Sequence, residues 1–293
     1  MKRFFFLALL MVGGVVLIAW IALTDAGRNL PPTAAPLFEL LGKPLKTADV
    51  VLTRAVLIDD VDEKKLGDAI ALRYESYRDE EDPDWKYLQD LVSHLSRNRR
   101  KGFEYRVFLL PDHFPNAAAA PGGVLFVTRG LLDLVESESE LVAVLGHEIG
   151  HVELSHCMDM VRFELLARKM GATPLGELAD MAVGIILRPS FSKTQEADAD
   201  AYGFRMLLAE GYNPFGMANS FQKLADLEAD PSRSPIEEYF MSHPYSHLRA
   251  EKYRSEAKQA EIKDYYIGQM NLEQRKSRYE EEFPKEWSNR TDP

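Results

Sequence analysis

The chain has 293 residues, enough for one domain with flanking helices or for two domains. Apolar residues make up 46% and charged residues 28%, a globular balance that excludes disorder for most of the chain. A net charge of −11 repels phosphate backbones, so nucleic acid is not an expected partner. The single cysteine, Cys157, excludes an intrachain disulfide and, by its position, a lipid-modified cysteine behind a signal segment.

The first element is Phe4 to Leu23, an uncharged run of 20 residues behind Lys2 and Arg3. At about 1.5 Å per helical residue it covers roughly 30 Å, the thickness of a bilayer core. It predicts one N-terminal transmembrane helix, with the N-terminus cytoplasmic and the remainder exported. The alternative is a signal peptide cleaved near Thr24-Asp25-Ala26, leaving a soluble exported protein. Residues 1–26 are the anchor or signal segment on either reading.

Pro31, Pro32 and Pro36 mark a linker, and helical patterning then runs to Arg100, so residues 27–100 read as linker and N-terminal helical part. Leu66, Ile70, Leu72 and Tyr74 form one apolar set; Trp85, Leu88, Leu91, Val92 and Leu95 form another after an acidic break. The basic run Arg97, Arg99, Arg100 and Lys101 reads as a solvated helix C-terminus, favoured there by the helix dipole. From Phe103 the period becomes two, with Phe103, Tyr105, Val107 and Leu109 on one face of a strand. Asn116 to Ala120 is a second extended stretch, Pro121-Gly122-Gly123 a turn, and Val124 to Thr128 a third strand. The small side chains of Ala117 to Ala120 suit either an edge that accepts a peptide by strand addition or a tight packing contact.

Ser137 to Glu140 has the pattern of a capping box, and Leu141, Val142, Leu145, Ile149 and Val152 give the following helix an apolar face. This helix carries His147-Glu148-Ile149-Gly150-His151. Residues four apart are about 40° apart around a helix, so both imidazoles project toward one point and can share a zinc ion. Glu148 sits to one side, placed to take a proton from a water as general base while zinc acts as Lewis acid. The candidate third ligand is Glu196, opening a second helix that stops at Gly211; two histidines and a carboxylate leave zinc an open position. Asp200, four residues on, faces the same way and is a sensible acceptor for a ligand histidine N–H, whereas Asp198 points away.

These motifs resemble the HtpX-like and CAAX prenyl protease family of zinc metallopeptidases. The likeness is carried by His147 to His151, by Glu196 with Asp200, by Asn116 to Gly123 with the strand after it, and by Ser242-His243-Pro244 with Arg249. It extends from about Leu66 to Arg249. The resemblance implies one zinc ion per chain, with His147, His151 and Glu196 as ligands and Glu148 as general base. It implies substrate contacts from Asn116, Ala117, Ala118, Ala119 and Arg249. Ala118 and Ala120 stand where the family often carries bulkier residues, and one span replaces several. The closer likeness is therefore to the periplasmic quality-control members, although no helical repeat follows.

His243 has three possible roles: a hydrogen-bond donor to the developing oxyanion, a reversible fourth ligand, or a packing residue. The need for some restraint on an exported protease favours the fourth ligand. His156, about 140° round the helix from His151, is expected to be structural, and His94, His113 and His247 to be surface or loop residues. Cys157 reads as a small buried hydrophobe, and Met181 to Leu187 as part of a core helix or cavity wall. Residues 101–255 are the peptidase core and 256–293 a charged helical tail, frayed from Trp287.

The expected fold is thus mainly α with a small β-sheet, a zincin-like α+β domain behind one membrane helix. The expected activity is zinc-dependent hydrolysis of peptide bonds in polypeptide substrates, among them unfolded or misassembled envelope proteins. The expected location is the membrane, with the catalytic part on the periplasmic side of the inner membrane in a bacterium. The alternative is a non-proteolytic envelope chaperone or assembly factor that keeps zinc for structure.

Overall fold

The computed structural model describes residues 59–97, 99–159, 161, 191–228 and 246–289. The apolar run Phe4 to Leu23, the segment Met181 to Leu187 and His243 lie outside these residues. Among the described residues no helix is long and apolar enough to cross a membrane.

Helix α1 (Asp60–Tyr74) starts where the Asp59 side chain accepts the N–H groups of Val61 and Asp62. Helix α2 (Pro83–Leu95) starts at the Asp82 cap with proline in its first turn, which ends the acidic break. Strands β1 (Arg106–Leu110), β2 (Ala117–Ala120) and β3 (Val124–Thr128) follow, then α3 (Arg129–Leu134), α4 (Glu138–Glu153), α5 (Lys193–Ala209), α6 (Gly216–Glu228), α7 (Ser246–Gln259) and α8 (Gln269–Gln274). The result is mainly helical with one small sheet, the α+β class expected.

The sheet has the order β1-β3-β2, with β1 parallel and β2 antiparallel to β3. Strand β1 begins three residues later than the alternation predicts, and Val107, Phe108 and Leu109 are all buried. Both faces are covered: Val107 and Leu109 join the cluster of α2 and α4, while Phe108 and Phe126 pack with Leu66 and Ile70 of α1. A strand buried on both sides loses the simple polar alternation.

The two sheet edges are finished differently. On β1 the outward backbone is occupied by side chains of α2: Gln89 donates to Tyr105 O and accepts from Val107 N, both at 3.0 Å, and Trp85 Nε1 donates to Val107 O at 3.0 Å. On β2 the bond from Thr128 N to Asn116 O sets the ladder, so Ala117 and Ala119 turn their backbone groups away from β3. The Cys157 thiol, buried as expected, donates to Ala119 O at 3.3 Å.

Two expectations are corrected here. The basic run after α2 is a solvated helix end only in part: Arg97 and Arg100 are exposed, but the run also makes distant contacts. Arg99 does bond Leu95 O at 2.6 Å, but Arg100 donates to Glu153 O at 2.6 Å and Lys101 is buried against Glu63. The run clamps the C-terminal end of α4, because a buried helix end needs partners for its last carbonyls.

Beyond α7 the chain is not one charged helix. Among the described residues only α8 and a short 3-10 turn, Pro284–Glu286, are helical there, and the Glu286 carboxylate accepts the N–H groups of Gly268, Gln269 and Met270 at 2.9, 2.9 and 3.0 Å. The Arg278 guanidinium lies 4.8 Å from the Tyr266 and Trp287 rings and 5.3 Å from Tyr212. Trp287 is therefore packed rather than frayed. Two backbone bonds from this segment bind the start of α4: Glu138 N donates to Gly268 O and Ser139 N to Ile267 O.

Candidate metal centre

Every residue of α4 is buried, including its charged ones. Burying a charge is costly unless it is paired or hydrogen-bonded, so each needs a partner. Glu138 accepts from Tyr212 OH at 2.6 Å and Arg278 N at 3.0 Å; Glu140 meets Lys223 Nζ at 2.9 Å; Glu153 accepts from Tyr105 OH at 2.8 Å. At the helix start the capping box is only half formed. Ser137 accepts from Glu140 N, but Glu140 reaches past the cap to Glu136 N.

Helix α5 begins with a complete box between Ser192 and Gln195 and ends before Gly211 at φ 71°. It lies directly on α4 because both helices are bare at the crossing. A Cβ on Gly203 would come within 2.7 Å of His147 N, and one on Gly146 within 3.1 Å of Gly203 Cα. That close approach brings the side chains of Glu196 and Asp200 to those of His147 and His151.

The three expected ligands converge. His147 Nε2 and His151 Nε2 are 3.0 Å apart, and Glu196 oxygens lie 3.6 Å from the first and 3.5 Å from the second. One ligand atom from each lies within 4.8 Å of the others, and all three residues are buried. The remaining nitrogens are engaged elsewhere: His147 Nδ1 is 2.8 Å from Asp200 Oδ1, and His151 Nδ1 is 3.1 Å from His156 Nδ1.

Asp200 is buried, which pushes its carboxyl up, but Arg249 and His147 outweigh that and hold it at about 2. Arg249 Nε donates to Asp200 Oδ2 at 2.9 Å, and its Nη1 lies 3.4 Å from Glu196. The guanidinium carbon sits 4.0 Å over the Phe221 ring. Burial pushes His156 down to about 4.

The other predicted residues are placed as follows. Glu148 is buried on α4, and its charge is felt at the Cys157 thiol, which burial pushes up and which rests on the outer edge of β2. Asn116 closes the start of β2, while Ala117, Ala118 and Ala119 lie within it. Arg249, implied by the resemblance as a substrate contact, is buried and bound to Asp200. Asp198 is exposed, as expected.

Two neighbours of the centre were not expected there. His156 reaches His151, and Phe191 stacks on the His151 ring at 3.8 Å between centroids. No periodic signal marks either, because one follows a break in the helix and the other precedes the α5 cap.

Two imidazole nitrogens and a carboxylate, turned inward while their outer atoms are held, are the donor set of a catalytic zinc ion, and these residues fit it. His-Glu-x-x-His on one helix with a glutamate from a second defines a zinc metallopeptidase site of the gluzincin type. The pattern of Peptidase family M48 matches residues 85–257, and the chain belongs to that family.

Among characterised proteins, the chain is 33% identical to metalloprotease LoiP of Escherichia coli over 180 residues, covering 58% of this chain and 69% of LoiP. It is 30% identical to metalloprotease YcaL of the same organism over 164 residues, 51% of this chain and 60% of YcaL. It is also 29% identical to the beta-barrel assembly-enhancing protease of Yersinia pestis over 213 residues, 64% of this chain and 43% of that protein. The match thus spans less than two thirds of the last two relatives.

Proposed function

We propose that this zinc metalloendopeptidase works in envelope protein quality control, cutting unfolded or misassembled polypeptides. In this reading residues 1–26 tether it to the membrane, or direct its export, and place the catalytic part on the periplasmic side of a bacterial inner membrane. Residues 27–100 supply the linker and first helices, 101–255 the peptidase core, and 256–293 the terminal segment. The names of the relatives and the long apolar run at Phe4 to Leu23 support this assignment.

His147, His151 and Glu196 would hold the zinc ion, which would supply Lewis acidity at the scissile carbonyl. Glu148 takes a proton from the attacking water on its carboxylate and delivers it to the leaving amine. Asp200 keeps His147 protonated at Nδ1, so that Nε2 presents a lone pair. Arg249 fixes Asp200 rather than touching substrate. The substrate main chain adds to the outer edge of β2 at Ala117 and at the Ala119 N–H, the Ala119 carbonyl being held by Cys157, with Asn116 closing that groove at one end. His243 would serve as a reversible fourth ligand.

The observation that carries the proposal is Glu148, a carboxylate buried on α4 next to His147, for which a purely structural zinc site has no use. Full-length protein in detergent should bind one zinc ion and cleave casein. Glu148→Gln should keep the zinc and lower the rate by about 10²–10⁴-fold. Equal cleavage by both proteins would remove Glu148 from the mechanism. Zinc binding without cleavage by either would favour the non-proteolytic assembly factor.

A further inference from the structure

One buried histidine near the centre is used by none of the steps above. Helix α4 ends at Glu153, Leu154 caps it, and Ser155 adopts φ 64°, a left-handed conformation that a non-glycine residue rarely takes. Had the helix continued, the side chain at 156 would point about 140° away from His151. The left-handed turn instead brings His156 back, so that its Nδ1 lies 3.1 Å from His151 Nδ1, in a buried position. A residue held off the ordinary backbone regions beside a reactive site is grounds for asking what it secures.

We propose that His156 is the positioning residue of His151: it accepts the His151 Nδ1–H and so fixes the tautomer and the ring direction that present Nε2 to the metal. The proposal rests on the zinc site described above. Two ring nitrogens at that distance need one proton between them. His151 Nε2 faces His147 Nε2 and Glu196, and it must be bare to act as a ligand. The shared proton therefore belongs to His151 Nδ1, His156 Nδ1 is the acceptor, and His156 carries its own proton on Nε2.

Phe191 completes the grip from the ring face, stacked at 3.8 Å with 22° between planes. The two ligand histidines are thus oriented by unlike partners. His147 leans on a carboxylate backed by an arginine, whereas His151 leans on a neutral imidazole supplied by a turn of its own chain.

The test uses the full-length protein in detergent, with zinc affinity read by competition against a chelating indicator and the fold read from the melting point of the metal-free form. Because His156 acts through Nδ1, asparagine reproduces the acceptor position and glutamine overshoots it. His156→Ala and His156→Gln should weaken zinc binding by about 10–100-fold, with His156→Asn within about threefold of wild type. In zinc-loaded, ¹⁵N-labelled wild type, the His151 Nδ1 proton should show through-bond coupling to His156 Nδ1. His156→Ala binding zinc within about twofold of wild type would overturn the proposal. So would a wild-type spectrum with His156 protonated at Nδ1, a measurement that stands even if the alanine variant does not fold. Wild-type protein that takes up no zinc would instead overturn the metal site itself.

Discussion

Two buried acids meet α4 at different places along it, one from α5 and one of its own, and are treated in opposite ways. At the ligand end, Asp200 of α5 faces His147 and keeps its charge, at about 2, because Arg249 and His147 outweigh its burial. At the starting end, burial dominates at Glu138 and pushes its carboxyl up to about 7, although Tyr212 and Arg278 N donate to it. Burial is similar; the difference is the company. A guanidinium with two hydrogen bonds to one carboxylate offsets desolvation, whereas a hydroxyl and an amide offset only part of it. One end of the helix holds a charge for a metal ligand. The other is an anchor for the C-terminal segment that burial leaves easily protonated.

The largest effect expected from that contrast is on stability. The folded chain holds the Glu138 proton more tightly than the unfolded chain, whose value is near 4.5. Its stabilising contribution is therefore complete below that value and is lost as pH rises to about 7. Glu138→Gln, neutral at every pH, should gain on wild type by on the order of 3 kcal/mol between about pH 5 and pH 8, measured by urea unfolding. A difference independent of pH would break the comparison.

The ligand end should respond in metal affinity. Asp200→Asn should weaken zinc binding by about 10–100-fold, while Glu138→Gln leaves it within about twofold, both read by chelator competition. Similar losses in the two variants would mean that the helix transmits disturbance along its length.

The smallest effect concerns the start of α4. Ser137→Ala removes a cap and should cost about 1 kcal/mol in urea unfolding without changing zinc affinity. No loss would show that the Gly268 and Ile267 contacts to Glu138 and Ser139 suffice.

The elements with strong periodicity were legible. The strand at Val124 to Thr128, the helix behind Ser137 and the helix that stops at Gly211 stand as their patterns predict. The ligands His147, His151 and Glu196 were legible for the same reason: four-residue spacing on a helix fixes direction before any tertiary contact forms. The extrapolation failed where the helix stopped. His156 is structural, as expected, but the helix wheel does not apply beyond Leu154, and the left-handed Ser155 reverses its direction. Arg99, Arg100 and Lys101 were judged as a solvated run, yet their partners Leu95, Glu153 and Glu63 include residues far away in sequence.

Sequence by itself therefore determined which residues could hold a metal and which carboxylate stands beside them, because each motif is laid out within one helix. Tertiary structure alone decided what holds them in place. Gly146 and Gly203 allow two backbones to touch, Arg249 arrives from α7 to keep Asp200 charged, and the C-terminal segment secures the start of α4. These contacts join residues distant along the chain, and their energies depend on which groups share a buried volume, a property that no local spacing encodes.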